Sequence, residues 1–160
     1  MSRRATARPR LRVSISSDRP TRATSGLAAF LETAAPRGAA GTVEVAIITN
    51  ARMRALNARF RGVSKPTDVL SFPDADVSSG RKSSVINCLG GIAIAIDVAR
   101  RQASERRHTL TTEVRILALH GLLHLLGYDH ERDQGEMRRI EERLRRRAGL
   151  IEGLITRSRS

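Results

Sequence analysis

Three of the four histidines in this 160-residue chain fall within one short segment, at His120, His124 and His130. On an α-helix, residues four apart project from nearly the same side, so His120 and His124 can direct two imidazole nitrogens at one ion. Gly127 follows them, and glycine favours the left-handed conformation that ends a helix and turns the chain back. The spacing therefore predicts a metal site in which His130 supplies the third ligand.

The ligand set indicates which metal this is and what it does. Three neutral imidazoles with an open fourth position are typical of catalytic zinc, whereas structural zinc is closed by four protein ligands. Cys88 is the only cysteine, which excludes a cysteine-based zinc site and an intrachain disulfide and fits a reducing cytosol. We therefore predict one zinc ion per chain. The alternative is a set of core histidines hydrogen-bonded to the backbone or to carboxylates.

The same histidine spacing occurs in the zinc-dependent metzincin proteases. Those enzymes carry a glutamate directly after the first histidine, where it serves as the general base. Gly121 occupies that position here and has no side chain that could accept a proton. The sequence keeps the metal scaffold of a hydrolase but lacks the base for peptide cleavage, so a protease is the less favoured alternative.

The charge of the chain indicates a polyanionic partner. The formal net charge is +13, and all 29 basic residues except Lys65 and Lys82 are arginines. Arginine pairs bidentately with phosphate, and clustered positive charge attracts nucleic acid of any sequence. The alternative is a solvated surface without a specific partner. The chain has only four aromatic residues, so base stacking on aromatic side chains is not expected; these are Phe30, Phe60, Phe72 and Tyr128.

The elements that must position the histidines form one α+β domain by their hydrophobic patterns. We expect a small mixed sheet of about four strands, at residues 11–15, 42–49, 69–72 and 89–96, the last broken by Gly90 and Gly91. Helices are expected at 21–34, 50–59, 97–107, 109–126 and 133–148. The domain should span residues 11–150, between a disordered basic arm at 1–10 and a tail at 151–160. No apolar run is long enough for a signal peptide or a membrane span.

Two segments resemble a known family. HGLLHLLGYDH at 120–130 is similar to the signature of the YbeY family, and LNARFRGVSKPTDVLSFP at 56–73 is similar to its other hallmark. Four further residues fall at similar spacings around the histidine motif, namely His108, Glu113, Met137 and Glu141. The resemblance covers roughly residues 42–148.

The resemblance implies a single α+β domain with a zinc site at His120, His124 and His130, and Arg61 facing the substrate. It implies a single-strand endoribonuclease of the cytoplasm that processes ribosomal RNA, notably at the 16S rRNA 3′ end, in biogenesis of the small ribosomal subunit. A rival hypothesis is an RNA-binding assembly factor whose metal is structural. The family often has Asp where this chain has Gly91, which would remove a carboxylate from the region of the site.

Several other residues have two readings. Asp68 either orients a ligand histidine or caps the turn before the strand at 69–72. Glu113 is expected to interact with the helix dipole, and His108 to be a surface or capping histidine. Asn50 is expected to cap the helix at 50–59. The charged helix at 133–147 is expected to be a solvated face on which Glu136, Glu141 and Glu142 pair with arginines, with RNA contact as the alternative.

Overall fold

Four strands form one mixed sheet in a computed structural model that describes residues 10–74, 88–129 and 131–150. The strands are β1 (Leu11–Ser17), β2 (Gly41–Ile48), β3 (Val69–Pro73) and β4 (Cys88–Ala95), in the order β1-β2-β4-β3. β1, β2 and β4 are parallel, whereas β3 runs antiparallel to β4. β3 is therefore an edge strand of this sheet.

The described residues also contain five α-helices. They are α1 (Leu27–Ala34), α2 (Asn50–Arg61), α3 (Ile96–Glu105), α4 (Leu110–Leu125) and α5 (Glu136–Arg147). The predicted α+β class and the sheet of about four strands are confirmed. None of the helices in the described part of the chain is long and apolar enough to cross a membrane.

The helices cover the sheet on both faces. Val43, Val45 and Ile47 of β2 point into a core shared with α1, α4 and α5, while the alternate residues Ala46 and Ile48 belong to a smaller core on the other face with α2. This alternation is the period-2 pattern of a strand buried on both sides. The core is aliphatic, as the composition predicts.

α4 is the central helix of the larger core. Its fully buried side chains include Ile116, Leu119, Leu122 and Leu123, which lie around most of its circumference. A helix that is apolar on nearly all sides must be buried by neighbours on nearly all sides. The polar side chains that α4 carries are therefore held in a rigid setting.

Two predicted helix starts and one predicted helix cap were wrong. The helix predicted at 21–34 is divided, because Gly26 has a left-handed φ of 70° between a short 3₁₀ turn at Arg22–Thr24 and α1. Thr49, not Asn50, caps α2, and its hydroxyl accepts a hydrogen bond from the Arg52 amide at 3.3 Å. The last helix begins at Glu136, and Asp133 accepts hydrogen bonds from the amides of its first turn.

Two glycines predicted to interrupt the fourth strand lie inside a continuous β4. At Gly90, φ is 136°, and a Cβ would lie 2.1 Å from the Phe72 carbonyl oxygen of β3. Glycine is therefore required for the close approach of the two strands. The strand itself is not broken, but its register with β2 shifts between Cys88 and Gly90, so the predicted interruption takes the form of an irregularity in strand pairing.

The predicted arm and tail lie outside the described residues, apart from Arg10. The same holds for residues 75–87 and for His130.

Candidate active site

His120 and His124 converge on one point, as their spacing predicts. Both lie on the last two turns of α4, and their Nε2 atoms are 3.1 Å apart. Their rings meet edge to face, with centroids 4.7 Å apart. Two nitrogens bound tetrahedrally to one zinc at about 2.0–2.1 Å are roughly 3.3 Å apart, so the donor pair fits a shared zinc ion.

The third predicted ligand, His130, lies outside the described residues, so the full ligand set stays a prediction. Within residues 10–74, 88–129 and 131–150, no group of three or more His, Cys, Asp or Glu side chains is arranged to hold a metal. A site with all-protein ligands drawn from those ranges is therefore not formed.

Glu141 of α5 contacts the Nδ1 side of the His120 ring. Its carboxylate oxygens lie 3.1 and 3.3 Å from His120 Nδ1, and Arg145 donates to the same carboxylate at 2.6 Å. A carboxylate on Nδ1 fixes the tautomer in which Nε2 is the free donor to a metal. Glu141 is thus a functional residue that the sequence reasoning missed as such.

The ionisation of Glu141 is set by opposing effects. Burial raises its pKa, but the hydrogen bond from His120 and the charges of Arg145 and His120 outweigh burial and hold the pKa below its ordinary value. The prediction that Glu141 belongs to a solvated face was wrong, because only 9 % of the residue is exposed. Glu142, its neighbour, does pair with Arg138 on the exposed side of α5, as predicted.

The chain turns at the end of α4, as the glycine at position 127 led us to expect. Gly127 has φ of 97°, its amide donates to the His124 carbonyl, and the Tyr128 amide donates to the Leu123 carbonyl. These two bonds are the Schellman arrangement that satisfies the last carbonyls of a helix. The chain then enters the Asp129 turn, where the Asp129 carboxylate accepts from the Glu131 amide at 3.0 Å. Turn formation thus accounts for the described contact of Asp129.

The histidines open into a cleft of about 580 Å³ along the outer side of β3. Its walls are β3 with the preceding loop, the two histidines and the turn after α4; the residues are Thr67, Asp68, Val69, Leu70, Ser71, Pro73, His120, His124, Gly127, Tyr128, Asp129 and Glu131, with Arg61 at one side. The site therefore lies where an edge strand and the end of a buried helix meet.

Arg61 is the last residue of α2 and reaches the same cleft. The side chain is exposed and makes no ion pair with a carboxylate of the described residues. Gly62 follows with φ of 69° and ends the helix there. The arrangement leaves a guanidinium beside two imidazoles, a combination that can bind an anion such as a phosphodiester next to a metal.

Asp68 lines the cleft but does not orient a histidine by any described contact. It accepts from the Val69 amide at 2.8 Å and from Gln102 Nε2 at 3.2 Å. Of its two readings, the structure therefore favours the turn cap. The carboxylate that orients a ligand histidine is that of Glu141, which contacts His120.

The family model described as "Endoribonuclease YbeY" matches residues 12–149 of this chain. The chain belongs to the YbeY endoribonuclease family. Curated YbeY endoribonucleases of Koribacter versatilis and Nautilia profundicola are 46 % and 44 % identical to it, over 76 % and 72 % of this chain and 74 % and 78 % of theirs. A Thermotoga maritima protein of known solution structure matches with a TM-score of 0.59 and 26 % identity, over 86 % of this chain and 88 % of that one.

Gly121 shows why this YbeY chain has no side chain after its first histidine. A Cβ at this position would lie 2.8 Å from Ile92 Cγ2 and 3.1 Å from Ser71 Oγ. The Ser71 hydroxyl also donates to the Gly121 carbonyl at 3.1 Å. Since α4 packs directly on the sheet here, a glutamate base of the protease type has no space.

Gly91, where the YbeY family often has Asp, lies on the opposite side of the sheet. Ile92 faces Gly121 and α4, so by strand alternation position 91 faces away from the histidines. It shares a separate depression with Glu44 and Phe72. The expectation that Gly91 removes a carboxylate from the site was therefore wrong.

Glu113 lies in the first turn of α4, where a carboxylate interacts favourably with the helix dipole, as predicted, whereas His108 differs from expectation. Glu113 is fully buried at the start of α4, where it pairs with His108 Nε2 and with Arg106 at 3.1 Å. The His108 side chain is only 8 % exposed, so it is neither a surface nor a simple capping histidine. In this YbeY chain the pair anchors the beginning of α4, two turns before the candidate ligands.

Proposed function

We propose that this protein is a zinc-dependent, single-strand-specific endoribonuclease that processes ribosomal RNA, notably at the 16S rRNA 3′ end, during ribosome biogenesis in the cytoplasm. The coarser part of this statement, an RNA-cleaving hydrolase, follows from its membership of the YbeY endoribonuclease family. The finer part rests on the resemblance of its two motifs and on the chemistry of the cleft.

The single observation that carries the proposal is the convergence of the two Nε2 atoms, 3.1 Å apart, in the cleft that Arg61 lines. Two imidazoles that share a focus supply ligands for a metal. The Arg61 guanidinium in the same cleft, which pairs with no carboxylate of the described residues, supplies a partner for phosphate. Metal-assisted hydrolysis of an RNA phosphodiester can use both.

Each side chain has a defined task in this proposal. His120, His124 and His130 hold zinc, which when bound acts as a Lewis acid and activates water. Glu141 accepts a hydrogen bond from His120 Nδ1–H and so keeps Nε2 directed into the cleft. Arg61 binds the phosphate and stabilises the charge that develops on it. Arg61 is thus the proposed catalytic residue of the chain.

The proposed partners are single-stranded ribosomal RNA and the small ribosomal subunit. The net charge of +13 supports a polyanionic partner. The cleft beside an edge strand also suits an extended single strand, whose bases are free to contact the protein, whereas a duplex keeps its bases paired and stacked.

The deciding experiment is cleavage of defined single-stranded and duplex RNAs by the wild type and by His124→Ala, with metal content measured on both. We expect wild type to cut the single strand only, and His124→Ala to lose both metal and cleavage. Efficient, chelator-sensitive peptide cleavage without RNA cleavage would instead identify a protease. If neither polymer is cut while the protein still binds small subunits, the assembly-factor hypothesis replaces ours.

A further inference from the structure

Phe60 is an aromatic side chain that is not buried in the core. It is 57 % exposed, the most exposed large apolar side chain in the described residues, followed by Val63 at 45 %. Both lie where α2 ends and the loop to β3 begins. The composition predicted no base stacking, but a count of aromatic residues does not tell where each ring lies.

The Phe60 ring is held in place despite its exposure. Phe72 of β3 meets it edge to face, with ring centroids 4.9 Å apart, and the Arg59 guanidinium lies 5.4 Å from its centroid. Such contacts fix an aromatic ring without covering it. A planar group arriving from solvent therefore finds a preorganised surface.

This ring stands beside the candidate active site. Phe60 directly precedes Arg61, which lines the cleft. Phe72, which supports the ring, lies in β3 between two cleft residues, Ser71 and Pro73, with its side chain on the face of the sheet opposite the histidines. A chain that passes along the cleft and over the edge of β3 would reach Phe60 next. Ring and guanidinium are therefore on consecutive residues at the end of α2, and the edge of β3 separates the ring from the histidines.

The charges around the ring favour a phosphate backbone. Arg59, Arg61 and Lys65 are exposed, and none forms an ion pair with a carboxylate of the described residues. Aromatic platforms flanked by cations are the surfaces on which proteins bind single-stranded nucleic acids, with stacked bases and neutralised phosphates.

We propose that Phe60 stacks on an unpaired base of the RNA, next to the phosphate that Arg61 binds. This inference rests on the proposed function and adds a positioning residue to it. Stacking requires a base that is free of its own partners, so Phe60 contributes to the selection of single strands. Its effect is on substrate binding and register, and the chemistry stays with the cleft.

The absence of tryptophan from the chain provides a direct test. Phe60→Trp places a single indole at the position of the Phe60 ring. Its fluorescence emission is recorded immediately after mixing with a single-stranded oligoribonucleotide, before cleavage. We expect strong quenching by the intact RNA and little by the same RNA with abasic sites. Phe30→Trp is the matched control, because Phe30 also lies against an arginine, Arg115, but lines a different groove. Its emission should not change.

Kinetics provide the second test. Phe60→Leu should raise KM for single-stranded RNA about tenfold, with kcat, metal content and the circular dichroism spectrum unchanged, since stacking is worth this much per base. Phe60→Tyr should retain the wild-type KM. Any of three results would refute stacking on Phe60. These are a wild-type KM in Phe60→Leu, equal quenching by intact and abasic RNA, and an effect confined to whole ribosomal subunits.

These results are distinguishable from a failure of the proposed function. If the wild type cleaves no RNA, the difference between intact and abasic RNA in the quenching of Phe60→Trp still decides whether a base stacks there. If RNA is cleaved but this difference is absent, the nuclease stands and the platform is wrong.

Discussion

Ser71 and Gly121 are in direct contact across the interface between β3 and α4. The Ser71 hydroxyl donates to the Gly121 carbonyl at 3.1 Å, and it also occupies the space that a Cβ at residue 121 would need. The helix that carries His120 and His124 therefore approaches the edge strand of the cleft as closely as its backbone permits. The distance between histidines and cleft wall depends on this glycine.

Gly121→Ala should destabilise the protein by about 1–3 kcal/mol, because the added methyl group overlaps Ile92 Cγ2. Helix propensity alone predicts the opposite sign, a gain of up to about 1 kcal/mol. Urea unfolding of the metal-free protein measures the difference. In an Ile92→Ala background the cost should shrink, since the overlapping atoms are gone. An alanine variant as stable as the wild type would show that the contact is not tight.

Glu141→Gln should weaken metal binding about 10- to 100-fold, the usual effect of removing a carboxylate behind a ligand histidine. Calorimetric titration with zinc measures it. Glu142→Gln is the matched control, since Glu142 lies next in sequence but pairs with Arg138 on the exposed side of α5. Equal zinc affinities for the two variants would contradict the orienting role of Glu141.

The parts of the site that sequence predicts are those fixed by local geometry. The approach of His120 and His124 follows from helix periodicity, and the turn at Gly127 follows from the conformational freedom of glycine. The contact of Glu141 with His120 joins residues 21 apart in sequence and depends on how α5 packs against α4. The i,i+4 spacing did indicate the Glu141–Arg145 pair, but burial of that pair is a tertiary property.

The same distinction between local geometry and tertiary packing explains which parts of the fold were predicted. Strand and helix types were predicted from hydrophobic periodicity, whereas the exact helix starts were not, because Thr49 and Asn50 are both good capping residues and the end of β2 decides between them. Gly91 was assigned to the region of the site through the family resemblance, but strand alternation places it on the far face. Alternation can be counted only once the register is known.

The protein should bind about one equivalent of zinc when purified without chelator, as elemental analysis can show. His120→Ala and His130→Ala should each remove this metal, because three imidazoles are predicted to share it. His108→Gln should retain it, since the remaining histidine of the chain pairs with Glu113 at the other end of α4. Uptake that is unchanged in the first two variants would refute the shared site.

RNA affinity should fall steeply with salt. Each phosphate contacted on a single strand contributes about −0.7 to the slope of the logarithm of the binding constant against the logarithm of salt concentration. With a net charge of +13 we expect contacts to several phosphates and a slope of a few units. Filter binding across a salt series measures it. A nearly flat dependence would contradict the polyanionic partner.

Arg61→Ala should lower RNA cleavage about a hundredfold or more while leaving fold and zinc content intact, because loss of one charge-stabilising donor in an active site typically costs that much. Arg54→Ala is the matched control: Arg54 lies two turns earlier on α2, is exposed, and does not line the cleft. Both variants remove one positive charge, so both should weaken RNA binding slightly and to a similar extent. Only Arg61→Ala should lower kcat. Equal losses in the two variants would mean that Arg61 contributes general charge, and the phosphate at the centre of the reaction would then need another partner.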